Sequence, residues 1–396
     1  MFTLNANRVC AAIRGGTPEW LCLLFAAAAI AVLGCAGERR EPAPAFPRAT
    51  GVSIHVALAP SSAERYCAWY GAEGSGDVLY FGEAAFWSAK AKAGGDPSGD
   101  LQQRGPQQIG RFDLATEQWL PPLEVGTPES RSGVWDVLEG DDGEVYFTTF
   151  FESAGSVQPA SGRVRQLDLG GATNELAHGP DRTVLASRYG SGTAEAGDGD
   201  VIAFDRDGRI VRRWSLAARD GYRVAPKTPL WDALRGELWV TADQLPIADG
   251  PRGARPPRQD AVLVDASGRA RVLPEPPELL FAAKSASGEI YRAETDQRAL
   301  WLSVVPPRGE ARRVLLDREF ADSLDFAQDI QVAQDGRVVV TRWSGVVHVV
   351  DRDDHVRSVA LPRSDPAGLY YTGVLHGERL CVTYCADVTV VCVDAP

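Results

Sequence analysis

The sequence predicts an all-β fold, a β-propeller of four-stranded antiparallel blades, and three observations predict it. The first is the stretch 326–362, which divides into the runs Asp329–Val332, Val338–Arg342, Val346–Val350 and Val356–Leu361. Each run is β-branched and of strand length. Asp, Gly or Ser stands at each break, so the stretch reads as a four-stranded meander. The second is recurrence: a second-strand landmark returns at Val78–Phe81, Val145–Thr148, Val184–Ser187, Leu238–Thr241, Ile290–Ala293, Val338–Thr341 and Leu380–Thr383, in steps averaging about 50 residues. The third is a repeated hairpin turn, FDRDGRI at 204–210, VDASGRA at 264–270 and VDRDDHV at 350–356. Such a unit cannot bury its apolar face alone, and stacked blades cover it.

Residues 1–34 read as an export signal. Arg8 and Arg14 precede an uncharged run, Leu21 to Leu33. The run ends in Val32-Leu33-Gly34-Cys35, which resembles the lipobox of bacterial lipoproteins, in which the Cys is lipidated and becomes the N-terminus. A retained membrane helix and a plain cleaved signal are the alternatives. Ala36, rather than Asp, follows the Cys, which points to the outer membrane. Residues 35–49 are then the lipidated Cys35 and a Pro-rich, extended tether, and 50–396 the propeller. This places the protein at the cell envelope, anchored by lipid and facing the periplasm or the cell surface.

The blades follow in order: 65–125, 133–176, 177–217, 229–274, 279–317 and 326–362. The C-terminal stretch holds only three strands, Tyr371–Leu375, Leu380–Cys385 and Val388–Val393. Val52–Ala59 is expected to supply the missing fourth, giving seven blades and removing open sheet edges. Six blades with a separate C-terminal cap is the alternative.

Four cysteines follow Cys35: Cys67, Cys381, Cys385 and Cys392. With a hairpin at Ala386-Asp387, Cys381 faces Cys392 at a separation a disulfide spans. Cys67 and Cys385 remain as a second pair, stapling blade 1 to blade 7. Four buried thiols, or a zinc site, are the competing readings. A net charge of −12 excludes the basic surface of a nucleic-acid binder. A monomer is expected.

First strands line the channel of a propeller. Asp136, Asp232 and Asp329 lie near the expected first-strand starts, and Arg188, Glu294 and Arg342 end aligned second strands. Long insertions at 86–108, 151–161, 190–199 and 243–260 fall in the same loop class. Insertions gathered on one face mark a binding face, here for an envelope protein, a glycan or a small molecule. The plainer reading makes Trp135 and Trp231 inter-blade packing residues and the aspartates turn caps. No hydrolase elbow, phosphate loop, Cys-x-x-Cys or His-Glu-x-x-His is present.

GVWDVLEGDDGEVYFTTF (133–150) and QDIQVAQDGRVVVTRWSG (328–345) resemble the NHL, gluconolactonase-like and virginiamycin B lyase-like propellers. The resemblance implies a divalent cation in the channel; the three carboxylates placed on one face, Asp136, Asp232 and Asp329, are the candidate ligands here, for Ca2+, a hard ion that takes oxygen donors. It also implies a channel histidine for lyase chemistry, with His178, His348, His355 and His376 as candidates. The Pro-Asn-Asp stretch of the lactonases is missing, and Asn174 is the only Asn after the signal. The expected function is therefore a membrane-anchored binding or scaffold propeller, with a metal-dependent lactone hydrolase or lyase as the alternative.

Overall fold

The computed structural model describes residues 46–57, 65–87, 107–126, 133–149, 154–171, 173–188, 199–216, 222–246, 258–265, 269–272, 279–284, 288–296, 299–318, 325, 327–363, 369–385 and 388–396, with backbone alone at 65–69, 84–87, 222–224, 243–246, 258–263, 270–272 and 279–284. Cys35, the lipobox and most of the expected insertions at 86–108, 190–199 and 243–260 lie outside them; the insertion expected at 151–161 is not one, because Ala154–Gln158 is a strand of a four-stranded sheet. Among these residues no helix is long and apolar enough to cross a membrane.

Seven four-stranded antiparallel sheets form the chain. Blade 1 is Arg65–Gly74, Val78–Trp87, Gln108–Asp113 and Gln118–Glu124; blade 2 is Val134–Glu139, Val145–Thr149, Ala154–Gln158 and Arg163–Leu167. Blade 3 is Thr173–His178, Val184–Arg188, Asp200–Phe204 and Ile210–Ser215; blade 4 is Tyr222–Asp232, Glu237–Pro246, Arg258–Val264 and Ala270–Val272. Blade 5 is Leu279–Lys284, Ile290–Asp296, Ala299–Val305 and Arg312–Asp317; blade 6 is Ala327–Val332, Val338–Arg342, Val346–Val350 and Val356–Ala360. Blade 7 is Leu369–His376, Arg379–Cys385 and Thr389–Asp394, completed by Ser53–Val56. The N-terminal strand closes the ring as expected, with Ser53 opposite Cys392 and Val56 opposite Thr389.

Two blade boundaries differ from the sequence expectation. Thr173–His178 opens blade 3 rather than ending blade 2; TNELAH has a single β-branched residue and carries no strand signature of its own. Blade 4 opens at Tyr222, not 229. Pro226 and Pro229 cannot donate to a ladder, and they flank a register break that accommodates them.

The core lies between blades. Leu79, Phe81 and Phe112 of blade 1 pack against Val374, Val390 and Cys392 of blade 7. Equivalent clusters join blades 1 and 2, 2 and 3, 3 and 4, 5 and 6, and 6 and 7. Phe81 stands opposite Gly110 and Phe147 opposite Gly155. A Cβ on either glycine would approach the ring to 2.2 or 2.3 Å, so each aromatic covers a position only hydrogen can occupy.

The closure is held by more than its ladder. Cys381 and Cys392, opposed in register, form a disulfide. Cys385 is also disulfide-bonded; the Cys67 side chain lies outside the described residues. Glu117, in a blade 1 turn, accepts hydrogen bonds from Arg379 Nε (2.7 Å) and Ser53 Oγ (2.5 Å), and its Oε2 lies 3.0 Å from His55 Nε2. Arg379 also reaches the Gly51 carbonyl (2.7 Å) and Asp394 (3.0 Å). Upstream, the last residues of the expected tether lie against blade 6: Ala360 N–H donates to the Pro47 carbonyl, and Ala49 N–H to the Ala360 carbonyl.

Partial burial works against ionising Glu117, yet its hydrogen bonds from Arg379, Ser53 and His55 outweigh it and hold the carboxyl at about 2. Its folded pKa lies below the unfolded value of about 4.3, so its stabilisation is present above that pH and is lost as pH falls towards 2. Glu117→Gln is expected to destabilise the neutral protein by about 1 kcal/mol, a modest figure because the clamp is partly solvated. Urea titrations should show that gap closing between pH 4.5 and 2; a pH-independent gap would remove the clamp from the closure.

Candidate functional site

Every first strand carries a register break against its second strand: between Ala68 and Gly71, Val134 and Asp136, Thr173 and Leu176, Pro226 and Pro229, Leu279 and Phe281, Ala327 and Asp329, and Tyr370 and Gly373. A bulge leaves a residue outside the ladder and re-aims its side chain. Second-strand hydroxyls satisfy the freed backbone in three blades. Glu175 N–H donates to Ser187 Oγ (3.0 Å), Thr228 N–H to Thr241 Oγ1 (3.1 Å) and Thr372 N–H to Thr383 Oγ1 (3.0 Å). This explains the Ser or Thr that closes three of the second-strand landmarks, Ser187, Thr241 and Thr383.

At or beside the bulges sit Tyr70, Asp136, Glu175, Thr228 and Asp329, which line a channel cavity of about 510 Å³. Its walls continue along the first strands through Leu138, Ile330, Gln331 and Trp231. Among the described residues the acidic groups there are Asp136, Glu175 and Asp329, and no Lys or Arg lines the cavity.

Asp136 accepts the N–H of Val137 (2.9 Å) on one oxygen and that of Leu176 (2.8 Å) on the other. Asp329 accepts Ile330 N–H (2.8 Å) and Gln331 Nε2 (2.8 Å). Glu175 accepts the Thr228 hydroxyl (2.5 Å). Burial, reinforced by the Glu175 charge, pushes the Asp136 carboxyl well above the usual range. Burial likewise raises Asp329 to about 6, against hydrogen bonds from Gln331, Thr372 and Ile330. The Tyr70 hydroxyl is raised well above its ordinary value by burial, then by Glu175. It takes a hydrogen bond from Gln328, and its ring meets Trp135 and Tyr371 edge-on at 5.4 and 5.5 Å.

The sequence-predicted residues separate into two groups. Asp136 and Asp329 face the channel. Asp232 ends its strand rather than opening it, is fully buried, and binds Arg235 and the N–H of Leu234 (3.0 Å). Arg188, Glu294 and Arg342 share one register position but turn into ion pairs within or beside their blades. Arg188 binds Asp200 through Nε (2.7 Å), and Arg342 binds Asp317 (2.7 Å) and Asp325 (2.5 Å). Glu294 takes Arg292 (2.8 Å) and Ser303 Oγ (2.5 Å).

His348 is buried and neutral, pushed down to about 3 by burial and then by Arg342, with Nδ1 2.8 Å from Ser358 Oγ. His355 sits in an exposed turn beside Asp351. His376 lies between Glu73 (3.8 Å) and Asp77 (3.6 Å). His178 lines the cavity.

Glu175, Tyr70 and Thr228 are channel residues that strand starts did not reveal. The signal that finds them is the small second-strand residue, whose partner across the bulge faces the channel.

A divalent cation is the group that the propeller resemblance implies. Among the described residues, potential ligand groups within 4.8 Å of one another are Glu73-Asp77-His376, His55-Glu117-Cys392 and Asp351-Asp353-His355. The channel carboxylates form no such group, and the oxygens described above already accept hydrogen bonds. The donor set therefore does not fit a resident divalent ion, and no chemistry is derived through one.

No protein-family model matches the sequence, and no curated protein matches it. Solved structures do. The virginiamycin B lyase of Staphylococcus aureus, crystallised as a catalytically inactive variant with quinupristin, superposes with TM-score 0.58 at 11% identity, over 87% of this chain and 100% of that one. The extracellular domain of a one-component system from B. thetaiotaomicron superposes with TM-score 0.55 at 9% identity, over 88% of this chain and 42% of that one. A gluconolactonase-like structure aligns over 88% of this chain and 93% of that one, at 12% identity and TM-score 0.41. The chain thus shares the β-propeller fold of the lyase and of that extracellular domain, a likeness that defines architecture and not chemistry.

Because Asp329 has a folded pKa of about 6, above its unfolded value, it takes up protons on folding and lowers stability as pH rises from about 4 to about 6. Asp329→Asn is expected to match the parent at pH 4 and to be more stable above pH 6 by on the order of 1–2 kcal/mol. Thermal melts across that range test this, and equal melting shifts at both pH values would contradict it.

Proposed function

We propose that this chain is a binding propeller of the cell envelope that takes a small, positively charged organic molecule in its channel. One observation carries the reading: the cavity of about 510 Å³ combines Asp136, Glu175 and Asp329 with apolar walls and, among the described residues, no basic side chain. Its volume is that of a small-molecule site. A ligand cation would interact favourably with these acidic groups and relieve the cost of burying them. Apolar surface at Trp231, Leu138 and Ile330 suits the carbon skeleton of an amine or quaternary ammonium compound.

Calorimetry with a panel of polyamines, amino sugars and choline-like cations tests the reading. Saturable binding is expected, weakened by tenfold or more in Glu175→Gln, since a lost charge-assisted contact is worth about 1.5–3 kcal/mol. Heat absent across the panel would count against the small-cation site. Ca2+ alone giving saturable heat, lost in Asp136→Asn, would instead support the metal-dependent lactone hydrolase or lyase.

The envelope assignment draws on the lipobox-like Val32-Leu33-Gly34-Cys35 and on the disulfide Cys381–Cys392, a bond at home in an oxidising compartment. Lipidation would tether the ring to the membrane. An alkyne fatty acid fed to expressing cells should label the protein, and Cys35→Ala should abolish the label; equal labelling of both would refute the anchor.

A further inference from the structure

Burial along the channel changes from one end to the other. At bulge level Tyr70 is 9% exposed, Asp136 8% and Glu175 7%. Towards the strand ends the lining opens. The His178 side chain is 58% exposed, and Asp141, 3.8 Å from its Nδ1, is 55% exposed. Ala233, just past the end of the blade 4 first strand, lines the cavity and is exposed, and Ala177 and Trp231 are half-buried there. At the bulges themselves stand Tyr371 and Trp135, packed against Tyr70 with Leu369 and Cys385.

We infer that a ligand reaches the channel carboxylates through the mouth at the ends of the first strands, between Leu138, His178, Trp231 and Ala233, and that this mouth admits cations in preference to anions. That is the face opposite the one carrying the long insertions. The inference rests on the channel being the binding site proposed above. Physically, a narrow passage with low-dielectric walls and charge of one sign at its base concentrates counter-ions and speeds their arrival. Among the described residues, the charged or titratable groups facing the passage are Tyr70, Asp136, Glu175 and Asp329 at its base and His178, with Asp141 beside it, at its rim, and Arg212 lies over the Trp231 ring at 5.8 Å.

Cysteine accessibility tests this without knowledge of the ligand. Thr228→Cys places a near-isosteric thiol on the cavity wall, and Gln331→Cys provides a second position. In the full chain, each is treated with a trimethylammonium-ethyl and a sulfonatoethyl methanethiosulfonate. The thiolate attacks the reagent's sulfenyl sulfur, forming a mixed disulfide and releasing methanesulfinate, and the parent chain reports background.

The cationic reagent is expected to react roughly tenfold faster than the anionic one at low salt, with the ratio shrinking as salt rises. Ala177→Trp or Ala233→Trp, added at the mouth, should slow the reaction by a similar factor, and urea should restore equal rates in all variants. Unchanged rates behind either Trp would show access from the opposite face. Equal rates for the two reagents would remove the charge preference, and thiols inert until unfolding would show a closed cavity. Each of these results overturns the inference. Failure of the ligand panel in calorimetry is a separate outcome, because these rates need no ligand.

Discussion

A propeller depends on one join. Each blade covers its apolar faces only with its neighbours, so the ring is a chain of mutual burial that stays incomplete until its ends meet. Here the join is the pairing of Ser53–Val56 with Thr389–Asp394. The surrounding interactions converge on it. The Cys381–Cys392 bond locks the two strands beside it. Glu117 reaches across from blade 1 to hold Ser53 and Arg379 together. Pro47 and Ala49 extend the grip to blade 6. The closing strand thus ties three consecutive blades, and residues more than 300 apart in sequence share single hydrogen bonds.

Inside the ring the chemistry runs the other way. Asp136, Glu175 and Asp329 are acids in a low-dielectric channel, where they accept hydrogen bonds from backbone N–H groups, a glutamine and a hydroxyl. Burying charge without a counter-ion costs stability. The arginines that could have neutralised them, Arg188 and Arg342, are spent on Asp200, Asp317 and Asp325 within and beside the blades. The fold thus separates charges that hold sheets together from charges left facing the channel, and only the second kind gains from a bound ligand.

The architecture was legible because its signal is repeated. Val338–Arg342 and Val346–Val350 are β-branched, bounded by turn residues, and echoed along the chain. The closing strand could be inferred from a three-stranded remainder and an unclaimed run. The site was legible only in part. Asp136 and Asp329 follow a strand start by the expected offset, and the channel holds both. Trp231-Asp232 imitates Trp135-Asp136 but ends a strand drawn out by the bulge between Pro226 and Pro229. A bulge has no residue signature of its own, so register cannot be read through it, and Glu175 in an unremarkable TNELAH segment stayed hidden.

The bulges also separate what can vary from what cannot. Along each blade the paired residues answer to a ladder and to a neighbouring blade, and a change there disturbs both. The residues set free at the bulges leave the ladder and meet neighbouring blades only around the channel. In this chain those positions hold Tyr, Asp, Glu and Thr in successive or nearby blades without any change in strand pairing around them. Drift at these seven points can therefore rewrite what the channel recognises while the ring stays intact, so closely similar propellers need not share a ligand.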